Sequence, residues 1–212
     1  MPAGRRAPRD DRRRRLGQNF LRPELAEQLV VDIGAGSGAL TLALARRGAN
    51  VLAVELDPAW VARLRETAAR QTQGRIEVIH ADFLSWQLPN RPFRAVGCIP
   101  FGATTAIFRR LFDDPSLPLS RADLIVQWEV ARKRAETPPS TLISTTWAPW
   151  WSFQLGPPIP ARQFRPVPNV DGGVLVAVRR DPVLLPRAMA GQFAEFVRAR
   201  WPFPKSGRNG WS

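Results

Sequence analysis

Residues 30–38 read Val-Val-Asp-Ile-Gly-Ala-Gly-Ser-Gly, and this short run constrains the fold more than any other feature of the chain. An apolar stretch too short for a helix and closed by glycines reads as a buried strand. The glycines let the backbone turn tightly and bring N–H groups close to a ligand. The next segment, ALTLALARRG (39–48), has helical spacing and a glycine stop.

The alternation continues. VLAVELD (51–57) predicts a strand and PAWVARLRETAARQ (58–71) a helix opened by proline. IEVIHADF (76–83) predicts a strand, RAVGCIPF (94–101) a strand running into a loop, and TTAIFRRLF (104–112) a helix. ADLIVQWEV (122–130) reads as a strand that continues into a short helix through RKRAE. TLISTTWAPWWSFQLG (141–156) and GVLVAVRR (173–180) read as two late strands, the last pair antiparallel, and LLPRAMAGQFAEFVRARW (184–201) as one helix. Such alternation predicts an α/β fold with a doubly wound, Rossmann-like sheet, which binds ligands at the carboxyl ends of its strands. Trp147, Trp150 and Trp151 are expected in the core, and His80 in a structural role. Three parts are expected: a basic arm over 1–15, the α/β unit over 16–180, and a short helical C-terminal segment over 181–212.

Charge narrows the partner. Lys plus Arg number 31 against 18 Asp plus Glu, a net charge of +13. A field of that sign favours a polyanion, nucleic acid or an acidic membrane surface. The arm carries Arg12, Arg13, Arg14 and Arg15, which can act as a solvated tail or as a salt-sensitive phosphate contact. No run of ~18 apolar residues predicts a membrane span, and the N-terminus lacks the apolar core of a secretory signal. The single cysteine, Cys98, excludes an internal disulfide, and with a single histidine, His80, no Cys/His zinc site is expected. A cytoplasmic protein without a metal is expected.

Gly34, Gly36 and Gly38 form the turn behind Asp32, Glu55 ends the second strand, and Asp82-Phe83 ends the third. A carboxylate at the position of Glu55 can accept ribose hydroxyls from an adenosine-containing cofactor. The loop is not G-x-G-x-x-G, so no pyrophosphate cradle is evident, which favours S-adenosylmethionine over a nicotinamide cofactor. Asp82 can hold an adenine amine or simply cap a helix. Phe101 and Phe164 can be core aromatics or base-stacking groups.

The motifs Leu16-Gly17-Gln18-Asn19-Phe20-Leu21, VDIGAGSGALT, VELD, HADF, CIPFG, VQWEVARK and FRPVPNVDG, in that order from Leu16 to Arg180, resemble the rRNA adenine-N6 methyltransferases. The arm and the Trp-rich APWWSF segment look most like the actinobacterial erythromycin-resistance (Erm) enzymes. The resemblance implies a class I S-adenosylmethionine-dependent methyltransferase acting on adenine N6 of 23S rRNA, protein-free or nascent, as a monomer. The alternatives are a housekeeping small-subunit rRNA dimethyladenosine transferase and a non-catalytic RNA-binding or assembly factor. It implies that Gln18 and Asn19 contact the methionine end of the cofactor, that Gly34, Gly36 and Gly38 form its loop, that Glu55 takes the ribose, that Asp82 with Phe83 takes the adenine, and that Leu56 and Cys98 also belong to the cofactor site. Cys98, Ile99, Pro100 and Phe101 would receive the target adenine, with backbone carbonyls of 98–100 accepting from N6, and Phe164 would close over it. Two departures stand out. The family pattern has Asn where this chain has Cys98, and the segment between Leu21 and Val31 is short.

Overall fold

A computed structural model describes residues 28–164 and 167–201. Seven strands form one sheet in the order β3-β2-β1-β4-β5-β7-β6. β1 (Leu29–Ile33), β2 (Asn50–Glu55), β3 (Arg75–His80), β4 (Phe93–Cys98) and β5 (Leu119–Gln127) run parallel, while β7 (Gly172–Arg179) enters antiparallel between β5 and β6 (Trp151–Ile159). The helices are α1 (Ala39–Ala45), α2 (Pro58–Ala69), α3 (Thr104–Phe112), α4 (Trp128–Arg134), α5 (Leu142–Trp147) and α6 (Ala190–Arg200).

All five residues of β1 are buried, as a central parallel strand requires. Successive side chains point to opposite faces. Val30 joins Leu44 and Ala45 of α1 in one cluster, whereas Val31 and Ile33 join Ile107, Phe108 and Leu111 of α3 in the larger one. The sheet is therefore covered on both sides. On the α3 side Phe112 packs edge-on against Trp147, Trp151 and Phe153 at 5.1–5.4 Å. The three tryptophans expected in the core are 1–2% exposed.

The elements differ from the sequence reading in three places. Residues 142–147 are helical rather than extended, because Thr141 caps them by accepting the Ser144 N–H at 3.2 Å. Strand β6 starts only at Trp151. The helix after β5 begins at Trp128, inside the run read as strand. The C-terminal helix begins at Ala190, behind a 3₁₀ turn over Arg187–Met189, since Pro186 has a fixed φ and no N–H to donate. The C-terminal segment leans on the α/β unit: the Trp150 indole donates to the Leu185 carbonyl at 3.0 Å, and Phe193 meets the Trp150 ring at 5.9 Å. No helix among the described residues is long and apolar enough to cross a membrane.

Candidate active site at the carboxyl ends of the strands

Register places the candidate residues side by side. Ile33 of β1 pairs with Val54 on one side and Gly97 on the other, so the turn after β1, Glu55 and Cys98 all emerge along one edge. Neighbouring strands lie ~4.8 Å apart. His80, opposite Glu55, donates through Nε2 to the Leu56 carbonyl, 3.1 Å away, and helps hold the exit of β2.

The glycine turn is anchored by Gly34 and Ala35 N–H groups donating to the Val54 carbonyl at 2.9 and 3.1 Å. Gly38, at φ +78°, caps α1 so close to α2 that an added Cβ would sit 2.3 Å from Leu64 Cδ1. Among the described residues the space around Gly34 and Gly36 is open: a Cβ at Gly34 would meet none of them within 4 Å, and one at Gly36 only the Gly34 carbonyl at 3.9 Å. A tight anchor thus presents an uncovered rim to a ligand.

Glu55 is the hub of this edge. Its Oε2 accepts the Gly36 N–H at 2.7 Å, and its Oε1 accepts the N–H groups of Leu56 and Asp57 at 2.9 Å each. A carboxylate offers about four acceptor directions, so any further donor must share Oε2 with Gly36. Beside it Leu56 is 62% exposed, a large apolar side chain held at the surface. Asp82 caps no helix but heads the turn over 83–85, its Oδ1 accepting the Leu84 N–H at 2.9 Å; Oδ2 has no partner among the described residues. The Phe83 ring is turned into the protein: it is 6% exposed, part of the central cluster, with the Arg110 guanidinium 5.9 Å above it.

The sequence reading treated Asp32 only as the residue before the turn. It is 1% exposed and accepts the Thr41 hydroxyl at 2.6 Å. Burial raises its pKa to about 6 against the opposing pull of Thr41, and the Glu55 charge adds to the rise. The signal available in sequence was a hydroxyl two residues into α1.

Cys98 is open to solvent, yet burial pushes its thiol up to about 11, with the Asp32 charge as the second cause. A group that water reaches while protein crowds it on most sides lines a recess. Ile99 is buried, its N–H donating to the Ile125 carbonyl at 2.9 Å. Pro100 is exposed, but its carbonyl already accepts from Ala103 N–H at 2.9 Å and the Thr104 hydroxyl at 3.3 Å. Both lone pairs are used. The Pro100 carbonyl is therefore removed from the expected N6 acceptors, leaving those of Cys98 and Ile99. Phe101, half-buried, opens the 3₁₀ turn at the mouth.

Phe164 packs with Ile125, Ile159 and Val174, and Ile125 is the register partner of Cys98. The ring lies so close over Gly172 that a Cβ there would be 2.7 Å from it. Phe101 thus follows β4, while Phe164, which follows β6, rests on the sheet against β5 and β7. The loop behind it is pinned by Asp171, whose Oδ1 accepts the Ala161 N–H at 2.7 Å and whose carbonyl accepts the Trp128 N–H at 2.9 Å. Gln18, Asn19 and Arg12 to Arg15 lie outside the described residues. No cluster of three or more His, Cys, Asp or Glu suited to a metal occurs among those described.

Comparison with known proteins places the chain among relatives. The profile of the ribosomal RNA adenine dimethylase family matches residues 9–201. An rRNA adenine N-6-methyltransferase of Corynebacterium diphtheriae is 43% identical over 179 residues, 78% of this chain and 68% of the relative. The mycinamicin-resistance protein MyrB of Micromonospora griseorubida is 38% identical over 207 residues, 92% of this chain. This chain spans only 65% of the length of MyrB. The crystal structure of the 23S rRNA methyltransferase ErmE superposes with a TM-score of 0.74 at 31% identity, covering 91% of this chain and 76% of that one. With the profile spanning most of its length and relatives at this level of identity, the chain belongs to the ribosomal RNA adenine dimethylase family.

Proposed function

We propose that this protein transfers methyl groups from S-adenosylmethionine to N6 of one adenine in 23S rRNA, and so confers macrolide, lincosamide and streptogramin B resistance. The observation that carries the reading is Glu55 tied to Gly36 at a glycine rim that is open among the described residues, with Asp82 just beyond the neighbouring strand and the Cys98–Phe101 turn alongside. Two accessible carboxylates suit a cationic ligand. The exposed Leu56 suits the flat apolar face of an adenine. The names of MyrB and ErmE support the large-subunit target and the resistance outcome.

In this reading Gln18, Asn19 and Asp32 hold the methionine end, Gly34, Gly36 and Gly38 line it, Glu55 binds the ribose, and Leu56 and Asp82 hold the adenine. When bound, the cofactor supplies an already activated methyl group on a sulfonium. The protein's task is then alignment. The N6 lone pair of adenine is delocalised into the ring, and the Cys98 and Ile99 carbonyls draw on its N–H groups to free it. Thr104 fixes the Pro100 turn, and Phe101, with Phe164 beside it, stacks the base once it has left its helix. Stacking of ~1–3 kcal/mol per base offsets part of the unstacking cost. Arg12 to Arg15 add phosphate contacts to protein-free or nascent rRNA. The catalytic unit is residues 16–180, acting as a cytoplasmic monomer.

The test is incubation with labelled cofactor and, separately, protein-free large- and small-subunit rRNA, followed by primer extension. Label at one adenine of the large-subunit RNA is expected. Label confined to small-subunit RNA, or none with either, overturns the reading.

A further inference from the structure

In the β1–β3 half of the sheet the charges differ between the two ends of the strands. Carboxylates gather at the carboxyl ends, where Asp32, Glu55 and Asp82 surround the candidate site. Arginines gather at the opposite edge, ~17–20 Å away along strands of this length. A polyanion is repelled by the first edge and attracted to the second.

Two turns build the basic edge. Arg46 caps α1 before β2, while Arg70 caps α2 and Arg75 opens β3. The turns are tied into one surface: Arg75 N–H donates to the Ala49 carbonyl at 3.3 Å, and Gly74 lies so near that a Cβ would sit 2.4 Å from the Ala45 carbonyl and 2.7 Å from that of Ala49. Arg46, Arg70 and Arg75 are all exposed, and none forms an ion pair among the described residues. Glu66 and Glu77, the exposed carboxylates nearest in sequence, pair with none of them.

A path joins this surface to the site. On α2, residues 60, 63 and 70 fall within one helical stripe. Trp60 is 38% exposed beside the exit of β2, and the Arg63 guanidinium stacks 5.4 Å from its ring centre. An exposed tryptophan under an arginine is a platform for an unpaired base, with the guanidinium left to reach phosphate. We infer that Arg46, Arg70 and Arg75, with the Trp60–Arg63 pair above them, form a second RNA-docking face that holds the phosphate backbone away from the reacting base. The inference deepens the proposed function and rests on RNA being the substrate. It locates sequence-independent affinity on the catalytic domain rather than in the arm alone.

The test uses the full chain, protein-free large-subunit rRNA and filter binding across a salt series. Each lost phosphate contact lowers the slope of log K against log salt by ~0.7–0.9. The triple variant Arg46→Gln, Arg70→Gln, Arg75→Gln should lose about two units of slope, and Trp60→Ala should weaken binding about tenfold. Calorimetric cofactor binding should be unchanged in both, which shows that the variants fold. Unaltered slope and affinity in the triple variant overturn the docking face. Losses on phosphatidylglycerol vesicles without losses on RNA also overturn it, in favour of a membrane surface. If the wild-type chain shows the expected slope but labels no adenine, the transferase reading fails while the docking face stands.

Discussion

Gly36 donates its backbone N–H to Glu55 Oε2 at 2.7 Å, which makes the glycine turn after β1 and the carboxylate ending β2 one mechanical unit. A carboxylate that accepts three N–H groups is fixed in place before any ligand arrives. Hydrogen bonds to a charged group contribute ~1.5–3 kcal/mol each. Glu55→Gln keeps the shape but loses the charge and one acceptor. Cofactor affinity measured by calorimetry should fall roughly 10- to 100-fold. Affinity within a factor of two of wild type would show that Glu55 only braces the turn.

Asp32 gives a pH prediction with a definite sign. Its pKa rises from 3.8 to about 6 in the folded protein. A raised carboxyl contributes stability that is complete below pH ~4 and is lost as pH climbs through 6. At about 1.4 kcal/mol per unit, the loss by neutral pH is on the order of 2–3 kcal/mol. Asp32→Asn, which can still accept from Thr41, should therefore melt higher than wild type at pH 8 and show no such advantage near pH 4. The same variant should bind cofactor more weakly. Parallel melting curves at both pH values, without divergence, would contradict the assignment.

Phe101 tests the base-binding side separately. Phe101→Ala removes a half-buried ring at the mouth while leaving the glycine turn and Glu55 intact. Methyl transfer to rRNA should drop by a factor of about 10–100, in line with the loss of one stacked base, and cofactor affinity should hold. A matching fall in cofactor affinity would reassign the residue to the other half of the site.

Cys98 can be probed chemically, since it is the chain's single cysteine. With its thiol pushed up to about 11, almost none is thiolate at neutral pH. Iodoacetamide at pH 7.5 should label the native protein roughly a hundredfold more slowly than the urea-unfolded chain, despite the open position of the side chain. Equal rates would mean that the recess does not suppress ionisation.

The sequence announced the parallel half of the sheet well. Periodicity and punctuation agree from β1 to α3, where burial alone decides each residue's face. It failed where local propensity and tertiary demand conflict. Thr145 and Thr146 favour strand by their branching, yet Thr141 caps the segment and the 142–147 helix places Trp147 against Phe108 and Phe112. In the site, glycines and terminal carboxylates were legible because their spacing follows from the turn. The engaged Pro100 carbonyl, the inward Phe83 ring and the perturbed Asp32 were not, since each depends on partners distant along the chain or on depth.

Arg179 is another such case. At the end of β7 its guanidinium donates to the carbonyls of Leu119 and Pro115, each at 2.7 Å, and to that of Leu117, and it lies 4.5 Å from the centre of the Trp151 ring. No local pattern in the sequence marks an arginine that fastens a strand to a loop some sixty residues earlier.

Because β7 slots between β5 and β6, the order of assembly differs from the order of synthesis. β6 leaves the ribosome before β7 but reaches the sheet only through it. Until about residue 179 has been made, β5 is an unprotected edge and the loop carrying Phe164 has no floor to rest on. The nascent chain can shape the half of the cleft built by β1–β3 early, while the half beside β5 comes into being only at the end of translation.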